Sequence, residues 1–178
     1  PTVALNLNQK AESFRLYEIS QVHFPAGQEG VIPEEKQMVC IAAVGPQEDF
    51  YTLKGVVEQL CGGLGIDDYS FAAGGPEYYH PGRKAVLTIA GKQAGVLGEV
   101  HPTAAENYGI SERVYLAELE LDALFAGIVP ERKYRALPRY PAVDRDLAVV
   151  LDASVPAGSV AAAIRKAAGK LCEKTELF

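Results

Sequence analysis

Residues 85–100 read AVLTIAGKQAGVLGEV. Two β-rich runs, Ala85–Ala90 and Ala94–Val100, flank Gly91-Lys92-Gln93. A three-residue connection containing glycine between two such runs predicts a hairpin, so the sheet is antiparallel at this point. On the C-terminal side, Pro102 suits the first turn of a short helix that ends before Gly109. Val114–Leu121 predicts a further strand, with Val114, Leu116 and Leu119 mixed with Glu118 and Glu120. Leu121–Ala126 predicts a short helix stopped by Gly127 and Pro130. On the N-terminal side, Asp49 is placed to cap a helix whose Leu53, Val56, Val57, Leu60 and Cys61 fall at helical spacing. Gly62-Gly63 is expected to stop it. Met38–Val44 is an apolar run of strand length ending at Gly45-Pro46, and Phe14–Phe24 is a strand candidate closed by Pro25-Ala-Gly27. The polar stretch Gln28–Gln37, with Pro33, reads as a loop.

The last third is different. Pro130–Pro141 holds three prolines and four basic residues, Arg132, Lys133, Arg135 and Arg139, interleaved with Tyr134 and Tyr140. It reads as a linker or an extended wrap. Asp146–Leu151 predicts a strand, and Ser154 with Pro156 predicts a helix start. Val160, Ile164, Ala167, Ala168 and Leu171 would line one face of that helix, with Arg165, Lys166 and Lys170 facing away. Antiparallel strands with helices, followed by a new β-α unit, make the fold class α+β.

The chain has 178 residues, 48% hydrophobic and 22% charged, which excludes bulk disorder. Domains average roughly 100–200 residues, so one domain, or one plus part of a second, is expected. The longest apolar runs, such as Leu147–Leu151, are strand-sized. They fall well short of the ~18 residues of a membrane-spanning helix, so no membrane partner is expected. Cys40, Cys61 and Cys172 form no CxxC pair and read as reduced thiols of a cytoplasmic protein. The chain starts at Pro1 without an initiator Met and stops at Phe178 in what reads as the start of a strand, so both ends are expected to be cut. Seventeen basic and 23 acidic residues give a net charge of −6, unevenly spread. Residues 1–129 hold 8 basic and 17 acidic side chains; residues 130–178 hold 9 and 6. An acidic body with a basic end fits a change of domain near Pro130, and a body that meets protein with an end that meets a polyanion. It equally fits a solvated surface with a chance asymmetry.

Candidate chemistry is sparse. His23, His80 and His101 show no metal-ligand spacing, and His80-Pro81-Gly82 and His101-Pro102 read as turns. Gly62-Gly63-Leu64-Gly65 follows a helix instead of leading into one, so it reads as a helix stop and not as a phosphate loop. Cys61 sits on an apolar helix face, and Glu34-Glu35 and Asp67-Asp68 read as solvated carboxylates. No catalytic residue and no metal site are assigned. In the basic end, arginines can pair with phosphates and Tyr140 can stack on a base; an ordinary solvated helix surface is the plainer account of Arg165, Lys166 and Lys170.

Five stretches together resemble the β chain of bacterial phenylalanyl-tRNA synthetases. They are Arg15-Leu-Tyr-Glu-Ile19, Asp49-Phe-Tyr-Thr-Leu-Lys-Gly55, His80-Pro-Gly-Arg-Lys-Ala85, Gly95-Val-Leu-Gly-Glu-Val-His-Pro102 and Tyr140-Pro-Ala-Val-Asp-Arg-Asp-Leu147. The last departs from the family pattern in carrying Tyr where Phe is usual. Each is modest alone; five in order make the match specific.

The resemblance implies a catalytic-like module in residues 1–136, an antiparallel sheet with flanking helices like a class II aminoacyl-tRNA synthetase core. Residues 137–178 would begin a ferredoxin-like anticodon-binding domain, truncated here. The holoenzyme would use ATP and Mg²⁺, with no cofactor bound by this fragment. The partners implied are the α subunit and tRNA, not DNA. Active class II enzymes place a glycine-rich strand before an Arg-bearing helix. Leu116–Leu124, in the corresponding place, has neither Gly nor Arg, and an acidic strand there would repel ATP phosphates. The tRNA-contacting residues expected are Arg139 and Arg145, then Arg165 and Lys166. The motif carries only Arg145 directly, and Asp146 offers that side chain an internal salt bridge instead. Two other classes stand beside this reading: a free-standing RNA-binding module, and a class II synthetase-like enzyme of small-molecule metabolism using His80 or His101.

Overall fold

The hairpin is present in the computed structural model, which describes residues 1–25, 32–129 and 140–177. Its strands are β4 (Tyr79–Ile89) and β5 (Lys92–Val100). Thr88 faces Gln93 and Ile89 faces Lys92, so the turn is the pair Ala90-Gly91 and not the predicted Gly91-Lys92-Gln93. Both turn residues have positive φ, 48° and 77°. That combination matches the twist of the flanking strands, which is why two strand residues are gained from the expected loop.

Around this hairpin a six-stranded antiparallel sheet is completed by β1 (Phe14–Phe24), β2 (Glu34–Val44), β3 (Tyr69–Ala73) and β6 (Val114–Glu120), in the order β1-β2-β6-β5-β4-β3. Three sequence expectations change. Glu34–Gln37 belong to β2, where they pair with Gln21–Phe24; the length of β1 carries polar residues into the ladder. β3 was not predicted, being five residues between acidic and glycine pairs. His80-Pro-Gly lies inside β4, as an irregularity between Tyr79 and Lys84.

Helix α1 (Thr2–Asn8) was also not predicted, and α2 (Phe50–Leu64) runs through Gly62-Gly63. It stops at Gly65, whose φ of 76° makes the left-handed cap. Its start is as read: the Asp49 carboxylate accepts from the Thr52 backbone N–H at 2.7 Å, and Thr52 Oγ1 accepts from the Asp49 N–H at 2.9 Å. Arg15 of β1 adds a two-pronged pair with Glu48, at 2.8 and 3.1 Å. That contact holds the Glu48 carboxyl below its ordinary value. The short helices α3 (Pro102–Glu106) and α4 (Leu121–Ala126) lie where expected.

Side-chain alternation sets the packing. Val39, Ile41, Leu87, Leu97, Ala117 and Leu119 join Leu53, Val57 and Cys61 of α2 and Leu124 of α4 in the main core. Burying one such leucine contributes roughly 1.5–3 kcal/mol. On the opposite face, α1 and α3 pack with Val44, Ile110 and Val114 at one end of the sheet. Among the described residues, no helix is long and apolar enough to cross a membrane.

The chain divides into two units, residues 1–134 and 135–178. In the second, α5 (Ala157–Ala168) is followed by a 3₁₀ turn, Gly169–Leu171. Residues 141–152 form no ladder, so the predicted strand Asp146–Leu151 is not realised; a strand needs a neighbour, and the described part of the unit supplies none. Nor does Ser154 cap α5. Its N–H and hydroxyl both donate to Asp152 Oδ1, at 2.9 and 2.7 Å, and Pro156 occupies the cap position. The apolar stripe narrows to half-buried Val160, Ala161 and Ile164, while Leu171 is 92% exposed. The expected turn residues Ala26-Gly27, residues 28–31 of the expected loop, the proline-rich stretch 130–139 and Phe178 lie outside the described residues.

Ala90 carries a positive φ without the tolerance of Gly or Asn. Ala90→Asn is expected to stabilise the chain by about 0.5–1 kcal/mol, read as a rise in the denaturation midpoint at unchanged slope.

Candidate functional site

On the face opposite the main core, the register puts Glu18, Cys40, Glu118 and Val96 in one row across four strands. Next to it Ser20, Met38 and Glu120 form a second row. Together with Tyr78 these rows line a cleft of about 410 Å³. Glu118 sits at its centre, and the hydroxyls of Tyr78 and Tyr79 both donate to its Oε2 at 2.9 Å. The segment leading to them turns through Gly74 and Gly75, with φ of 148° and 130°. It is held by Lys84 Nζ, which donates to the Gly75 and Pro76 carbonyls at 2.9 and 3.0 Å.

The electrostatics follow from this packing. Burial, then the Glu118 charge, pushes the Tyr79 phenol far above its ordinary range and Tyr78 up to about 12. Burial, then Glu118 and Glu18, pushes the Cys40 thiol up to about 11. Glu120 is offset by Lys36 at 3.1 Å, which also approaches Glu34 at 3.5 Å. Glu18 and Glu118 have no cationic partner among the described residues. The face is therefore negative, and its thiol is a protonated, poor nucleophile at neutral pH.

A second charged cluster lies at the α3 end of the sheet. Glu99 is buried, with Arg83 Nε 2.7 Å from its Oε2 and Arg113 Nε 4.0 Å from its Oε1. His80 Nδ1 accepts from the Gly82 N–H at 3.1 Å, and its Nε2 lies 3.0 Å from Arg83 Nη2. The sequence offered a signal for this cluster. Arg83 and Glu99 each lie within one of the five quoted stretches, and β4–β5 pairing brings those stretches together. His101 caps α3, its Nδ1 accepting from the Thr103 N–H at 3.3 Å, and His23 lies 3.2 Å from Glu35. Both turn histidines thus have local structural partners. Among the described residues, no group of three or more His, Cys, Asp or Glu is arranged to hold a metal ion.

The residues expected to meet RNA fall in the second unit. Arg139 lies outside the described residues. Arg145 is exposed on the extended segment and makes no ion pair with Asp146 or any other described residue. Arg165 and Lys166 are exposed in the last turn of α5, where a cation also complements the helix dipole. Arg165 Nε donates to the Ala161 carbonyl at 3.3 Å. The helix carries Arg165 and Lys166 at adjacent positions, and among the described residues no hydrogen bond or ion pair joins them to Arg145.

Comparison with known proteins covers both units. The family model described as the phenylalanyl tRNA synthetase beta chain CLM domain matches residues 1–121, and that of the ferredoxin-fold anticodon binding domain matches residues 138–178. The phenylalanine–tRNA ligase beta subunit of Clostridium acetobutylicum is 38% identical over 178 residues, covering 99% of this chain and 22% of that protein. The Symbiobacterium thermophilum beta subunit is 40% identical over 187 residues (99% and 21%), and that of Bacillus subtilis 34% over 189 (99% and 23%). The chain thus spans about a fifth of the length of these relatives. Among solved structures, pyrrolysyl-tRNA synthetase from Desulfitobacterium hafniense superposes with a TM-score of 0.55 at 13% identity, over 69% of this chain and 45% of that one. That likeness shows the fold alone.

Cys40 gives the acidic face a direct readout. In a chain where Cys61 and Cys172 are replaced by Ser, thiol modification should be slow at pH 8 and rise about tenfold per pH unit towards 11. Glu118→Gln should shift that profile to lower pH.

Proposed function

The chain belongs to the phenylalanyl-tRNA synthetase beta-chain family, and we propose that it serves a phenylalanine–tRNA ligase as a subunit-interface scaffold joined to a tRNA-contacting element. Residues 1–136 form the scaffold, a class II synthetase-like core without an active site of its own. Residues 137–178 begin the ferredoxin-like anticodon-binding domain. The complete enzyme attaches phenylalanine to its tRNA in the cytoplasm with ATP and Mg²⁺, and the chemistry lies in the α subunit.

The observation that carries this reading is the charge of the open sheet face. There, among the described residues, Glu18 and Glu118 have no cationic partner, and Lys36, which lines the cleft, is held by Glu120 and Glu34. These residues do not fit ATP, whose phosphates need cations where carboxylates stand. No step of adenylate formation is routed through this chain. Its part is mechanical: the sheet, stiffened by α2 and α4, presents a surface to the α subunit. The basic end meets phosphates by charge pairing and counterion release, through Arg139, Arg145, Arg165 and Lys166.

Solution mass measured on the chain mixed with the α subunit of the same enzyme is expected to show a joint complex formed through residues 1–136. A folded chain that stays separate would overturn the scaffold reading. In the complete β subunit, Arg145→Ala should weaken tRNA binding about threefold to tenfold and lower the slope of log affinity against log salt by about 1. The Arg165→Ala, Lys166→Ala pair should lower it by about 2. Unchanged affinity and slope would remove these residues from the tRNA surface.

A further inference from the structure

We propose that the cleft at the α3 end of the sheet binds a free α-amino acid, held by its carboxylate and its ammonium group together. The cleft encloses about 530 Å³, within the range of small-molecule sites. It lies wholly in the first unit and is separate from the open face.

Its base is the buried Glu99 carboxylate, 4% exposed. Arg83 lies 2.7 Å away, yet Arg83 Nε and Glu99 Oε2 are both shielded and neither has an aligned hydrogen bond. Arg113 faces the other Glu99 oxygen at 4.0 Å, too far for a hydrogen bond. Two guanidinium groups thus flank one buried carboxylate, Arg83 closely and Arg113 loosely. Arg83 Nη2 meets His80 Nε2 at 3.0 Å, so it is the Arg113 guanidinium, 68% exposed and beside the Tyr115 phenol, that faces the cleft. Planar guanidinium forks of this kind match a carboxylate.

The rest of the lining selects what accompanies that carboxylate. Glu106 and Glu112 also line the cleft. Glu112 is pinned there, its Oε2 accepting from the Ser111 N–H at 3.2 Å and hydroxyl at 3.1 Å. Val100, Pro102, Ala105 and Ile110 supply an apolar wall. Three carboxylates against two arginines disfavour a phosphate chain, and a simple amine would leave the Arg113 guanidinium without a partner in the cleft. A molecule that carries both charged groups on one carbon, with a short apolar side chain, matches the carboxylates, Arg113 and the apolar wall.

Leucine is the probe that matches this wall, with 4-methylpentanoate and isoamylamine as the partners lacking the amine and the carboxylate. Calorimetric titration of the chain should show saturable leucine binding, with both partners at least about tenfold weaker. Arg113→Gln should weaken leucine at least about tenfold, and Arg113→Lys should recover part of it. Arg113 is largely exposed, so the variants are expected to melt with the parent; circular dichroism checks this. Glu112→Gln should weaken leucine and leave 4-methylpentanoate unaffected. Absence of leucine binding at about 10 mM would overturn the proposal, as would equal binding by the Arg113→Gln chain or by 4-methylpentanoate. None of these outcomes bears on assembly with the α subunit or on tRNA.

Discussion

A Cβ built on Gly95 would lie 2.3 Å from the Glu118 carbonyl oxygen, and one on Gly98 would lie 2.6 Å from the Arg83 carbonyl. The backbone of β5 therefore runs closer to β6 and β4 than any side chain allows, and only glycine permits it. The register that follows is the constraint on which the first unit depends. With Gly95 opposite Leu119 and Gly98 opposite Leu116, odd positions of β6 enter the main core and even positions face away. A slip of one residue would put Glu118 and Glu120 under α2 and α4, where unpaired carboxylates are not tolerated.

The same register explains the electrostatics. Glu18 and Glu118 fall either side of Cys40 because β1, β2 and β6 are in step. Tyr78 and Tyr79 both donate a hydroxyl hydrogen bond to one Glu118 oxygen and so fix its position. The open face therefore carries two carboxylates without a cationic partner among the described residues. The excess of cations in residues 130–178 gives the chain two parts of opposite electrostatic character.

Much of the first unit was legible because its signals are local. Asp49 and Thr52 are three residues apart, so the capping box is written in consecutive positions. The strand at Val114–Glu120 and the helix after it alternate in patterns a short window reveals. What was missed depended on distant partners. Gly62-Gly63 reads as a stop, but the helix continues because Cys61, Ile66 and Leu64 pack into the core and Gly65 supplies the left-handed cap. The polar start of β2 reads as a loop until β1 pairs with it. Asp146–Leu151 has the composition of a strand and no neighbour to make it one.

The sequence by itself determined the α+β class, the antiparallel hairpin, the capped central helix, the polarity of charge along the chain and the family resemblance. These rest on composition, short-range periodicity and motif order, all properties of neighbouring residues. Only the tertiary structure decided that Tyr78, Tyr79 and Glu118 meet, that Glu18 and Glu118 share a face, and that Arg83 and Arg113 flank one buried carboxylate. Pairing register and burial join residues up to 100 positions apart, as from Glu18 to Glu118, and no local pattern encodes which of them will touch.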